Sequence, residues 1–180
     1  MSVAAARAGA REVFAVDVSR RAVAATWVNA VMRGVPVRVC RGDAWEVAAG
    51  RRFDLILANP PYVPSRQGPP RRGLARAWDA GTDGRVMLDR VTALAPSLLN
   101  ERGVILIVHS GLCGVDRTLD QLRDGGLKAS VVARRTEPFG PVMRDRTDFL
   151  ERAGLIETGQ RHEELVVIRG DWTERAACGA

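Results

Sequence analysis

Four consecutive residues, Asn59-Pro60-Pro61-Tyr62, combine groups that can hold a flat nitrogen without ionising it. Two prolines fix the backbone and remove two N–H donors, which leaves the Pro60 carbonyl as an acceptor with a pre-set direction. The Asn59 side chain supplies a second acceptor. The pair can receive both hydrogens of a planar NH2 group, and the Tyr62 ring offers a surface on which the amide or base carrying it can stack. Such a nitrogen is a poor nucleophile because its lone pair is delocalised. Two acceptors favour the form in which charge builds on that nitrogen as it attacks an electrophilic methyl group, so no strong general base is required. The bland alternative is a Pro-Pro turn with a packed tyrosine, and the preceding residues argue against it.

The segment 53–58, Phe-Asp-Leu-Ile-Leu-Ala, is nearly continuous in apolar character, the pattern of a strand covered on both faces and hence of a sheet interior. Further strands are predicted over 12–18, 36–40, 104–108, 127–133 and 164–168. Helices are predicted up to Gly9, from Ser19 to about residue 32, from an Asp83 cap to about residue 99, and over 112–124 and 144–152. This alternation predicts an α/β fold, Rossmann-like, with a mostly parallel sheet and helices on both faces. Ligands bind outside the carboxyl ends of the strands in such a sheet, which is where the Asn59 motif falls.

Two carboxylates occupy the same kind of position. Asp17, with Val18 after it, ends the strand 13–16 and can accept both ribose hydroxyls of a nucleoside cofactor, or can cap the helix beside Ser19. Asp43 follows the strand ending at Cys40 and can accept from an adenine amino group, with Ala44 and Trp45 lining the pocket, or can belong to a solvated Gly-Asp turn. The order Asp17, Asp43, Asn59 favours a cofactor site.

With 180 residues the chain has the length of one domain, expected over 1–170, with 171–180 a fraying tail. No apolar run approaches the roughly 18 residues of a membrane span, and the amino terminus lacks a secretory pattern, so no membrane association and a cytoplasmic location are expected. Cys40, Cys113 and Cys178 stand far apart without a CxxC spacing, so neither a metal site nor a disulfide framework is expected. The net charge of +6 rests on 27 basic residues of which only Lys128 is a lysine, a usage that a GC-rich genome produces without functional demand. Arg66, Arg71, Arg72 and Arg76 share a loop without acids that can dock an acidic protein surface or a nucleic-acid backbone, or remain solvated. His109, on an apolar strand, reads as a hydrogen-bonded core residue. Arg134-Arg135 and the segment 138–141 read as substrate rim or plain surface.

The chain resembles the HemK/PrmC methyltransferases. The resemblance rests on Ala15-Val16-Asp17-Val18-Ser19, Gly42-Asp43-Ala44, the run from Phe53 through Asn59-Pro60-Pro61-Tyr62 to Pro64, and Ala80-Gly81-Thr82-Asp83-Gly84, with Glu164 to Arg169 closer to the short HemK-like branch. It implies S-adenosylmethionine as cofactor, gripped by Asp17 and Asp43, and the side-chain amide of a release-factor glutamine as acceptor. It also implies a small activating partner protein for some relatives in the short branch. The Asn-Pro-Pro-Tyr motif is shared with DNA adenine and RNA guanine methyltransferases, so a nucleic-acid amino methyltransferase is the enzymatic alternative. A binding module without catalysis is the other. One departure is that the family's first strand and glycine-rich cofactor loop are not in this sequence, which implies exposed edges on the Asp17 strand and the Asn59 strand.

Overall fold

A computed structural model describes residues 1–66 and 77–172, and the chain forms two compact units, 1–51 and 52–180. In the first unit α1 (Ser2–Arg7) precedes β1 (Phe14–Asp17), α2 (Arg20–Met32), β2 (Arg38–Arg41) and the single turn α3 (Ala44–Val47). Ser19 starts α2 as expected: its hydroxyl accepts the Ala22 N–H at 3.3 Å, satisfying one of the donors a helix start leaves open. The strands β1 and β2 pair in parallel, from Phe14 opposite Arg38 to Asp17 opposite Arg41.

The second unit holds β3 (Phe53–Ala58), α4 (Val86–Leu98), β4 (Leu99–Ser110), α5 (Val115–Asp124), β5 (Leu127–Pro138), α6 (Pro141–Asp145), α7 (Thr147–Arg152) and β6 (His162–Trp172). Its sheet runs β3-β4-β6-β5, with β3 parallel to β4 and β6 antiparallel to both neighbours. Alternation along β4 buries Ile105, Ile107 and His109 with Val166 and Ile168 of β6. Leu119 and Leu122 of α5 are buried, and an added Cβ on Gly170 would lie 3.6 Å from Leu122, which places that helix against the same face.

Several expectations are corrected. The apolar run 53–58 does form a strand, but β3 ends the order instead of lying inside it. Among the described residues it pairs only with β4, and Leu55 is 45% exposed. Apolar side chains on both faces report what covers a strand, not how many strands flank it. β1 likewise pairs only with β2 among the described strands, so both edges implied by the resemblance are present. β5 and β6 extend past their predicted ends, where Arg134 pairs with Glu164 across the ladder and Arg135 lies 2.6 Å from Glu137 along β5 itself. The predicted helix 144–152 divides at Arg146 into α6 and α7. Asp83 does not cap α4, which Arg85 precedes; its carboxylate accepts the Arg85 N–H at 3.0 Å. Asp171 and Trp172, expected in a tail, pair with Lys128 and Leu127, while 173–180 lie outside the described residues. Among the described residues no helix is long and apolar enough to cross a membrane.

Candidate active site

The Asn59 motif leaves the carboxyl end of β3 and runs into a short parallel ribbon. The Val63 N–H donates to the Trp78 carbonyl at 2.8 Å and the Ala80 N–H to the Val63 carbonyl at 3.1 Å, pairing Val63 with Asp79. Asn59 is exposed, and neither its side chain nor the Pro60 carbonyl has a hydrogen bond to a described residue. In front of them lies a hollow of about 130 Å3 lined by Asn59, Pro60, Pro61, Tyr62, Val63, Ala77 and Trp78. The expected residues therefore meet one cavity, with both acceptors free of bonds to described residues. Trp78 and Ala77 were not predicted. The only sequence signal was a tryptophan in an otherwise polar loop, ahead of Ala80-Gly81.

The segment is held from behind. Cys113, in the 3-10 turn Gly111–Cys113 after β4, donates its thiol to the Tyr62 carbonyl at 3.1 Å. Gly84 has φ of +73°, and a Cβ there would lie 2.4 Å from the same carbonyl oxygen, so glycine permits the close approach. Arg85, 2% exposed, carries this corner: its guanidinium meets Asp89 at 2.8 Å, the Cys113 and Gly114 carbonyls, the Thr118 hydroxyl and Gln121. On the other side Arg146 reaches Asp79 at 2.6 Å and the Pro64 carbonyl at 3.0 Å. Tyr62 and Trp78 rest on the cluster of Val63, Phe139, Met143, Leu150 and Ile156. Phe139, read as rim or surface, is thus core.

Burial raises the Tyr62 phenol above its ordinary value, and the charge of Glu163 adds to this. Burial also pushes the Cys113 thiol up to about 12, against the opposing effect of Arg85, so it is a neutral donor at physiological pH. His109 is fully buried; its Nδ1 lies 2.8 Å from the Ser110 carbonyl, and burial lowers its pKa. It is the core histidine expected from its strand.

In the first unit, the parallel register sets Asp17 beside Arg41, and the Gly42 N–H donates to the Asp17 carbonyl at 3.1 Å, so Asp17 and Asp43 share one carboxyl edge. Each carboxylate shapes its own turn. One oxygen of Asp17 accepts the Ser19 N–H at 2.7 Å, and Asp43 caps α3 by accepting the Trp45 N–H at 3.0 Å. Asp17 is exposed and its second oxygen has no bond to a described residue, which fits a group offering hydroxyl donors. Val18 is exposed beside it; Ala44 and Trp45 lie on α3, Trp45 half-buried. A larger hollow of about 290 Å3 between α1 and α2 is lined by Met1, Thr26 and Asn29 among others, and Arg33 in its lining is engaged by Asn29 at 2.8 Å. It carries no chemistry. Of the loop arginines, Arg66 stands 5.6 Å over the Phe149 ring, while Arg71, Arg72 and Arg76 lie outside the described residues.

Residues 1–71 match the family described as the methyltransferase small domain. A Methanocaldococcus jannaschii protein, MJ0928, assigned as a protein N5-glutamine methyltransferase, is 35% identical over 144 residues, 79% of this chain and 73% of its own. The release factor glutamine methyltransferase of Geobacter sulfurreducens is 32% identical over 53% of this chain, a match that spans only 36% of that enzyme. Among solved structures, Mtq2 of E. cuniculi in its Trm112 complex, responsible for methylation of the eRF1 termination factor, superposes with a TM-score of 0.53 at 16% identity, covering 93% of this chain and 89% of its own, a likeness of fold. The extent of the M. jannaschii match places the chain in the HemK/PrmC family of S-adenosylmethionine-dependent N5-glutamine methyltransferases.

Proposed function

We propose that this chain transfers a methyl group to the side-chain amide nitrogen of a glutamine in a peptide-chain release factor. The observation that carries the reading is the hollow in which the Asn59 amide and Pro60 carbonyl, neither bonded to a described residue, stand beside an aromatic wall. The release-factor assignment follows the relatives' names, and this chain spans about a third of the G. sulfurreducens enzyme.

S-adenosylmethionine supplies an electrophilic methyl group. In this reading the Asn59 side-chain oxygen and the Pro60 carbonyl each accept one N–H of the amide, and Tyr62 stacks on its plane. The two acceptors lower the cost of positive charge on the nitrogen during attack, and the proton released afterwards passes to water. The rigid Pro60-Pro61 backbone holds the acceptors before substrate arrives, so ordering is not repeated at each turnover. Asp17 takes ribose hydroxyls and Asp43, with Ala44 and Trp45, the adenine. Nothing here calls on the neutral Cys113 thiol or the buried His109.

The test is transfer of label from S-adenosylmethionine to purified release factor, with and without a small Trm112-like subunit. Peptide mapping should find label on one glutamine. Asn59→Ala should reduce kcat by about 100-fold, the scale of removing one preorganised hydrogen-bonding group, with little change in cofactor affinity. Label on DNA or RNA in place of protein would overturn the substrate assignment.

A further inference from the structure

The parallel pairing of Val63 with Asp79 has a geometric corollary. Tyr62 and Trp78 are the preceding residues of the two strands, so they occupy neighbouring register positions on one face of the ribbon. Both line the hollow before Asn59, and both pack on the same buried cluster. The Trp78 backbone is held in place: its carbonyl accepts from the Val63 N–H at 2.8 Å, and the next residue, Asp79, is 2.6 Å from Arg146. The hollow measures about 130 Å3, whereas small-molecule sites usually run from about 300 to 1,000 Å3.

We infer that Trp78 is a specificity-determining residue, which with Tyr62 limits the hollow to a narrow planar group such as a side-chain carboxamide and keeps out the fused-ring amino group of a nucleobase. This rests on the proposed function of the same site. Its chemistry suits the assignment. A glutamine side chain brings two methylenes that two aromatic walls can cover, and its polar atoms lie at the end where Asn59 and Pro60 wait. A purine presents two fused rings and needs a wider opening for its amino nitrogen to reach the same acceptors.

The experiment uses the full chain labelled with 5-fluorotryptophan; its four tryptophans give four resonances, of which W78F identifies one. On addition of release factor and S-adenosylhomocysteine the Trp78 resonance should shift. W78A should raise KM for release factor by about tenfold, the scale of a lost aromatic contact, with an unchanged KM for S-adenosylmethionine. W78F should fall between, and covers the case in which the alanine variant does not fold. W78A should also gain transfer to a single-stranded oligonucleotide with unpaired adenines, on which the wild type is inactive. A Trp78 resonance indifferent to a release factor that is being methylated, or an unchanged KM in both variants, overturns the inference and leaves the proposed function standing. A wild type that methylates the oligonucleotide and not the release factor overturns both.

Discussion

Replacing Gly84 by alanine tests how tightly the Asn59 motif is held from behind. The added Cβ would stand 2.4 Å from the Tyr62 carbonyl oxygen and 2.8 Å from the Cys113 sulfur. Real Cβ contacts essentially never fall below 3.0 Å, so the carbonyl must retreat by at least 3.0 − 2.4 = 0.6 Å. Two costs combine: about 1–2 kcal/mol for an L residue at φ of +73°, and about 1–3 kcal/mol for overpacking against backbone that cannot rotate away. The expected loss is about 2–5 kcal/mol. Gly154 provides the control. It has φ of +66° with nothing within 4 Å of its would-be Cβ, so G154A carries the first cost alone. Urea midpoints at constant m-value give both numbers, and their difference isolates the contact. Because misplacement of a reacting group by about 1 Å can cost about 100-fold in rate, G84A should also slow methyl transfer about tenfold or more. If G84A matches G154A within about 0.5 kcal/mol and turns over normally, the Tyr62 carbonyl is not pinned as described.

Three further outcomes follow from the same packing. Arg85→Met should destabilise the chain by about 3 kcal/mol or more, because the neutral side chain leaves the Cys113 and Gly114 carbonyls and the Thr118 hydroxyl without their donor, while Asp89 keeps Arg117 at 2.7 Å; thermal melting checks this. The lowered pKa of His109 means that the unfolded chain takes up a proton first as pH falls through 6.5. Stability should therefore drop from there down to the folded-state value, and His109→Leu should flatten that part of the urea-midpoint profile. Cys113, buried and with its thiol pushed up to about 12, should resist alkylation at pH 8 in the folded protein and react once it is unfolded, as read by peptide mapping.

Local chemistry made much of this molecule legible. Ser19 announced α2, the run 53–58 announced β3, and two prolines after it announced the acceptors, because each signal is contained in a few adjacent residues. What escaped depends on distant partners. Trp78 belongs to the site only through its register with Val63, sixteen residues from Asp79, which no short window displays. Arg85 is one arginine among many in sequence, and its five-fold engagement exists only where α4, α5 and the turn after β4 converge. The polar ends of β5 and β6 read as loop because Arg134 and Glu164 satisfy each other across strands. β3 was placed inside a sheet because hydrophobicity records the solvent a side chain avoids, not the hydrogen bonds along a strand's flank.

Tyr62 is the only tyrosine in the chain, and it stands in the wall of the hollow. The protein therefore has a built-in optical reporter: phenolate absorbance near the red edge of the protein band comes from one ring in one place. Its ionisation should begin at more alkaline pH than that of free tyrosine. A ligand that covers the ring should delay it further, so occupancy of the wall can be followed by difference spectroscopy without a label or a turnover.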